Sequence, residues 1–127
     1  MHGQADAAVF LFLEIFANGC YRKCVSLPDA GVVVDIGANI GAFVLDCAIR
    51  RPNLTFMAYE PNLAAFRQLT RNVEANNLGA RVQLFNEAVS GTCGELPMWR
   101  GDSSLISSLT PPAHTTGGEW EIGRAHV

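Results

Sequence analysis

A chain of 127 residues, 49% of them apolar, is long enough for one domain with a buried core. Nine basic residues against twelve acidic ones, a net charge of −3, leave no electrostatic footprint for nucleic acid. The four cysteines, Cys20, Cys24, Cys47 and Cys93, show no paired C-x-x-C spacing, which argues against a zinc site and for free thiols in a reducing cytoplasm.

In chain order, Ala5 to Ala17 predicts a helix, with Asp6 able to cap its start and Asn18-Gly19 to end it. A strand competes, because Val9, Phe10, Phe12, Ile15 and Phe16 favour β structure. No cleavable signal peptide is expected, since the first residues lack positive charge. The apolar run from Ala7 to Ala17 contains Glu14 and is too short to span a bilayer. Tyr21 to Ala30 reads as a connector ending in the turn signal Pro28-Asp29-Ala30.

Val32 to Ile36 follows, a near-continuous apolar run that suits a parallel strand covered on both faces. It leads into Gly37-Ala38-Asn39-Ile40-Gly41, where Gly37 lets the chain turn with positive φ and lets a ligand approach closely. A helix from about Ile40 to Arg50 comes next. Ile40, Phe43, Val44, Cys47 and Ala48 share its inner face, Asp46 lies elsewhere, and Pro52 stops it. Leu54 to Tyr59 is a second buried strand, ending at Glu60-Pro61. The helix from Leu63 to Asn77 has Asn62 as its N-cap, Leu63, Phe66, Leu69 and Val73 inward, and Gly79 as its stop. Arg81 to Asn86 is the third strand.

Apolar strands alternating with apolar-faced helices predict a right-handed α/β arrangement with a parallel sheet. In such sheets ligands bind beyond the carboxyl ends of the strands, and an acidic residue closing the second strand can accept both hydroxyls of a ribose. The turn after the first strand is not the G-x-G-x-x-G of a dinucleotide site. Asp35 in front of it would repel a pyrophosphate and suit a ligand bearing an ammonium or sulfonium.

On these residues the chain resembles the Rossmann-like S-adenosylmethionine-dependent methyltransferases. Three motifs resemble the FkbM family more closely: Asp35-Ile36-Gly37-Ala38-Asn39-Ile40-Gly41, Tyr59-Glu60-Pro61-Asn62 and Asn86-Glu87-Ala88-Val89-Ser90. The likeness runs from about Ile15 to Leu109. It implies S-adenosyl-L-methionine as cofactor, held by Asp35, Gly37, Ala38, Asn39 and Gly41 at the turn, by Glu60 at the ribose, and by Pro61, Asn86 and Glu87 around adenine. It also implies a small-molecule or glycan acceptor, methylated at a hydroxyl oxygen. Two other readings stay open: the cofactor half of an NAD(P)-dependent oxidoreductase, and a non-catalytic Rossmann-like interaction module.

Past Gly91 the alternation fails. Gly91-Thr92-Cys93-Gly94 is a turn, Glu95 to Arg100 an edge strand interrupted by Pro97, Ser103 to Thr110 a serine-rich stretch and Pro111 to Gly118 a loop. A similar hairpin and Ser-Ser-Leu stretch occurs in FkbM relatives before their fourth strand. Glu121 to Val127 resembles a translated sequencing adapter and is set apart from residues 1–120 as a foreign tail. Relatives have seven strands in the order 3-2-1-4-5-7-6. The expectation is therefore a partial Rossmann-like fold: a three-stranded parallel sheet of order 3-2-1, flanking helices and a C-terminal hairpin-like insertion. This fragment would bind cofactor but transfer no methyl group. Without a fourth strand, Val32 to Ile36 becomes an exposed apolar edge through which copies can self-associate.

Overall fold

The computed structural model describes Gly19 and residues 26–100, 107–108 and 119–126. The helix expected over Ala5–Ala17 and the loop expected over Pro111–Gly118 lie outside the described residues. Among the described residues, no helix is long and apolar enough to cross a membrane.

Three strands, β1 (Ala30–Ile36), β2 (Asn53–Tyr59) and β3 (Val82–Phe85), form a parallel sheet of order β1-β2-β3. Two helices connect them, α1 (Ala42–Arg50) between β1 and β2 and α2 (Leu63–Ala75) between β2 and β3. The core lies where these helices meet one face of the sheet. Leu54, Phe56 and Ala58 of β2 pack there with Val44, Cys47 and Ala48 of α1 and Leu69 and Val73 of α2, all essentially inaccessible to water. Burial of a large apolar side chain such as Phe56 or Leu69 stabilises the fold by about 1.5–3 kcal/mol.

The other face of β1 is open. Val32, Val34 and Ile36 are 65%, 54% and 62% exposed. The apolar run had predicted a strand covered on both faces, but among the described residues both helices pack on the opposite face of the sheet, and nothing covers these three side chains; the marginal place of β1 is the one expected from the order 3-2-1. Side chains alternate across a strand, so Val33 and Asp35 turn to the helices while the valines at 32 and 34 do not.

Two helix details depart from the periodicity. Asp46, expected off the inner face of α1, is 2% exposed, because Arg50 one turn later folds back onto it, with Nη2 donating to Oδ2 at 2.8 Å. Leu63, expected inward, is 46% exposed as the first residue of α2, where it lines a cavity and not the core, and Ala65 is buried instead. Asn62 caps α2 as its sequence suggests, its side chain accepting from the Ala65 N–H at 3.0 Å. The stop is Asn77, not Gly79. Asn77 adopts the left-handed conformation (φ 56°), its N–H donates to the Glu74 carbonyl and the Leu78 N–H to the Val73 carbonyl, and buried Leu78 completes a Schellman closure.

Arg81, just before β3, ties the amino ends of the sheet together. Its guanidinium donates to the carbonyls of Arg51 and Leu54 at 3.1 Å and of Ala48 at 3.0 Å, joining the end of α1 to the start of β2.

A second sheet has the order β4-β7-β5-β6, from β4 (Ala88–Val89), β5 (Gly94–Arg100), β6 (Ser107–Ser108) and β7 (Glu119–His126). β5 runs unbroken through Pro97, which sits opposite Ile122 of β7, while β6 reaches only Trp99 and Arg100. Pro97 therefore lies where β5 has an open side among the paired residues, the place a strand tolerates a missing N–H. The consecutive antiparallel strands β5 and β6 are the hairpin-like element after the parallel sheet, and β7 pairs antiparallel along β5. The residues set apart as a tail supply most of β7.

Candidate functional site

The carboxyl ends of β1 and β2 meet at the turn spanning residues 37–41. Ile36 pairs with Tyr59, and the Tyr59 carbonyl accepts from both the Gly37 and Ala38 N–H groups at 2.9 Å. Gly37 (φ 78°), Asn39 (φ 53°) and Gly41 (φ 91°) are all left-handed, which lets the chain reverse within five residues and enter α1. At Gly41 the requirement is double, because a Cβ there would lie 2.5 Å from Leu69 Cδ1.

Glu60 holds the turn from the β2 side. Its Oε2 accepts the Asn39 N–H at 2.7 Å and its Oε1 the Asn62 N–H at 2.8 Å, in a carboxylate only 5% exposed. Asp35 pairs with Ala58, and Glu60 lies two residues further along, so both carboxylates sit at the same end and on the same face of the sheet. Asp35 Oδ2 is buried without a hydrogen-bond partner. Among the described residues neither carboxylate has an ion-pair partner.

These surroundings set the charges. Desolvation pushes Asp35 up from 3.8 to about 6. Burial also pushes Glu60 up, opposed by the N–H groups of Asn62 and Asn39 and reinforced by the charge of Asp35. Burial lifts the nearby Cys47 thiol to about 11, so it is a packing residue and not a nucleophile.

Four of the turn's N–H donors are already engaged. The N–H groups of Gly37, Ala38, Asn39 and Gly41 donate to Tyr59, Tyr59, Glu60 and Ala38. A phosphate cradle needs such donors aimed outward. What the site offers is negative charge: a desolvated carboxylate lacking a partner, beside a second one. That pair of acceptors fits a cationic ligand group near Asp35 and hydroxyl donors near Glu60.

The residues expected around a base lie on the next strand end. Asn86 follows β3, and its Nδ2 donates to the carbonyls of Glu60 at 2.9 Å and Pro61 at 3.1 Å. Its amide oxygen is thereby the end left to meet a ligand. Pro61, Asn86 and Glu87 line a cavity of about 470 Å³ together with Leu63, Phe85 and, from the second sheet, Glu95 and Arg124. The Phe85 ring stacks on Tyr59 with centroids 4.6 Å apart, stiffening the floor between β2 and β3. All nine residues singled out in the sequence thus lie at the strand ends or in the turn between them. Three groups that build the site were missed: the Tyr59 carbonyl, the Asn62 N–H, and Asn72 of α2, which donates to the Ile40 carbonyl at 2.8 Å. Tyr59 and Asn62 stood in a quoted motif, Asn62 also as an N-cap, whereas Asn72 carried no sequence signal. Among the described residues, no group of three or more His, Cys, Asp or Glu could hold a metal ion.

No family model matches the sequence. A curated relative from Streptomyces tacrolimicus, 31-O-demethyl-FK506 methyltransferase FkbM, is 38% identical over 114 residues, which are 88% of this chain and 43% of the relative. The solved structure of StiE O-MT residues 942-1257 superposes with a TM-score of 0.51 at 17% identity, over 59% of this chain and 26% of that one. Coclaurine N-methyltransferase bound to N-methylheliamine and SAH superposes with a TM-score of 0.50 at 22% identity, over 57% of this chain and 21% of that one. The fold is that of the Rossmann-like methyltransferases, and the chain spans under half the length of the relative it matches.

Proposed function

We propose, for a chain whose sequence is of the FkbM methyltransferase kind along most of its length, that it forms the cofactor-binding part of an S-adenosylmethionine-dependent methyltransferase acting on a hydroxyl of a small-molecule acceptor. The observation that carries this reading is the pair of buried carboxylates at adjacent strand ends, beside a turn in which the N–H groups of Gly37, Ala38, Asn39 and Gly41 are engaged. Glu60 accepts the ribose hydroxyls. Asp35 faces the ammonium of the methionine moiety, directly or through one water. Gly37 and Ala38 let the ligand lie close to the backbone, with Asn39 and Gly41 shaping the turn, and the cavity at Pro61, Asn86 and Glu87 receives the adenine.

When bound, S-adenosylmethionine supplies an electrophilic methyl group on a sulfonium, and the displacement is in line. The protein's share of the work is alignment and exclusion of water. The oxygen target follows the name of the Streptomyces relative, a 31-O-demethyl-FK506 methyltransferase. Since this chain spans 43% of that relative, it is proposed to bind cofactor and transfer no methyl group by itself.

Titration calorimetry with S-adenosylhomocysteine and with NAD+ tests the reading. Saturable binding of S-adenosylhomocysteine, at least tenfold tighter than NAD+, is expected. NAD+ binding with no response to S-adenosylhomocysteine would replace this reading with the oxidoreductase one, and silence towards both would favour an interaction module.

A further inference from the structure

The cofactor turn is gripped from two sides, and only one grip comes from a strand end. Asn39 and Gly41, both left-handed, bracket the peptide unit at Ile40. Asn enters that conformation more readily than other non-glycine residues, but a turn with three left-handed residues in five holds one form only where its surroundings over-determine it. On the sheet side the over-determination is Glu60, which takes the Asn39 N–H. On the opposite side it is α2. Asn72 Nδ2 donates to the Ile40 carbonyl at 2.8 Å across 32 residues of sequence, and Leu69, one turn earlier on the same helix, fills the space over Gly41.

The direction of the Asn72 amide is itself set. Its Oδ1 accepts from Gln68 Nε2 at 2.9 Å, which turns the NH2 end towards Ile40. Gln68 is exposed and Asn72 half-buried, so the chain Gln68–Asn72–Ile40 runs from solvent to the turn. The core of α2 does not need it, because Ala65, Leu69 and Val73 supply the helix's buried face.

We infer that Asn72 is a positioning residue for cofactor binding, acting through the Ile40 carbonyl to keep the turn in its ligand-ready form, with Gln68 orienting it. This rests on the function proposed above for the turn. Without the amide, the Ile40 peptide is free to rotate between its two left-handed neighbours, and binding must then restore the order that Asn72 supplies in advance.

The test uses the 127-residue chain with Asn72→Leu, Gln68→Met and, as control, Thr70→Val. Thr70 donates to the Phe66 carbonyl at 2.9 Å on the same helix, so its variant loses a bond of similar kind without touching the turn. Two readouts are taken: calorimetric affinity for S-adenosylhomocysteine, and amide hydrogen exchange at Asn39 and Gly41 in the ligand-free chain. Asn72→Leu is expected to weaken binding at least tenfold and to speed both amides at least tenfold. Gln68→Met, at an exposed site where folding is not at stake, should shift both two- to fivefold in the same direction, and Thr70→Val should move neither. Unchanged turn exchange in Asn72→Leu and Gln68→Met overturns the inference, as does affinity within twofold of the parent in both. Should the parent chain not bind S-adenosylhomocysteine, the functional reading fails and exchange alone decides whether Asn72 holds the turn.

Discussion

Replacing Asp35 by asparagine is expected to make the ligand-free chain more stable and its complex with S-adenosylhomocysteine weaker. In the folded chain the carboxyl is desolvated, with Oδ2 buried and unpartnered, and its pKa stands at about 6 against 3.8. The folded state therefore holds this proton more tightly than the unfolded chain does. Above pH 6 the ionised group opposes folding by about 3 kcal/mol, and that penalty disappears as pH falls from 6 towards 4. Asparagine removes the charge but leaves an amide to satisfy, so a net gain of about 1–2 kcal/mol at pH 8 is expected in urea denaturation. Binding runs the other way. The parent should lose S-adenosylhomocysteine affinity as pH drops through about 6, whereas the asparagine variant should bind at least tenfold more weakly at pH 8 and show no such titration. A variant that is less stable at pH 8 yet binds normally would assign Asp35 to the turn's architecture instead.

Glu60→Ala is expected to abolish nucleoside binding. Two ribose hydroxyls donating to a carboxylate at about 1.5–3 kcal/mol each amount to a loss of more than about 100-fold. The same change leaves the Asn39 and Asn62 N–H groups without their acceptor. Each costs about 1–3 kcal/mol when buried. The raised pKa of Glu60 offsets part of this, because removing a desolvated charge is itself favourable. A net destabilisation of about 1–3 kcal/mol follows, so binding is to be measured on the fraction that unfolds cooperatively. An analogue of S-adenosylhomocysteine lacking the 2′-hydroxyl separates the two roles. It should bind the parent more weakly than the natural ligand does. Equal affinity of both ligands for the parent would remove Glu60 from the ribose.

The parallel sheet was legible because its signals are local. Val32 to Ile36 and Leu54 to Tyr59 are apolar runs of strand length, and Asn62 announces the helix that follows. The placement of Asp35 and Glu60 at neighbouring strand ends was legible because each stands at the close of an apolar run of strand length. What escaped was tertiary. Whether Val32 and Val34 are covered depends on what packs against their face of the sheet, and no property of the valines records it. Asp46 reads as a surface residue until Arg50 is seen folding back over it. Asn77 outcompeted Gly79 as a helix stop because the Schellman closure needs an apolar residue immediately after the left-handed one, and Leu78 meets that need. Asn72, Arg81 and Asn86 act on backbone carbonyls more than twenty residues away, contacts that leave no spacing pattern. The sheet that joins β4 to β7 is of the same kind, since its pairings span the serine-rich and loop stretches that separate β5 from β7.

The most direct measurement is a crystal structure of the 127-residue chain grown with S-adenosylhomocysteine. The account predicts ribose hydroxyls within hydrogen-bond distance of the Glu60 carboxylate, the ligand's ammonium turned towards Asp35, and the base in the cavity beside Pro61 and Asn86. A ligand bound away from the ends of β1 and β2, with Glu60 still facing only the backbone N–H groups of Asn39 and Asn62, would contradict it.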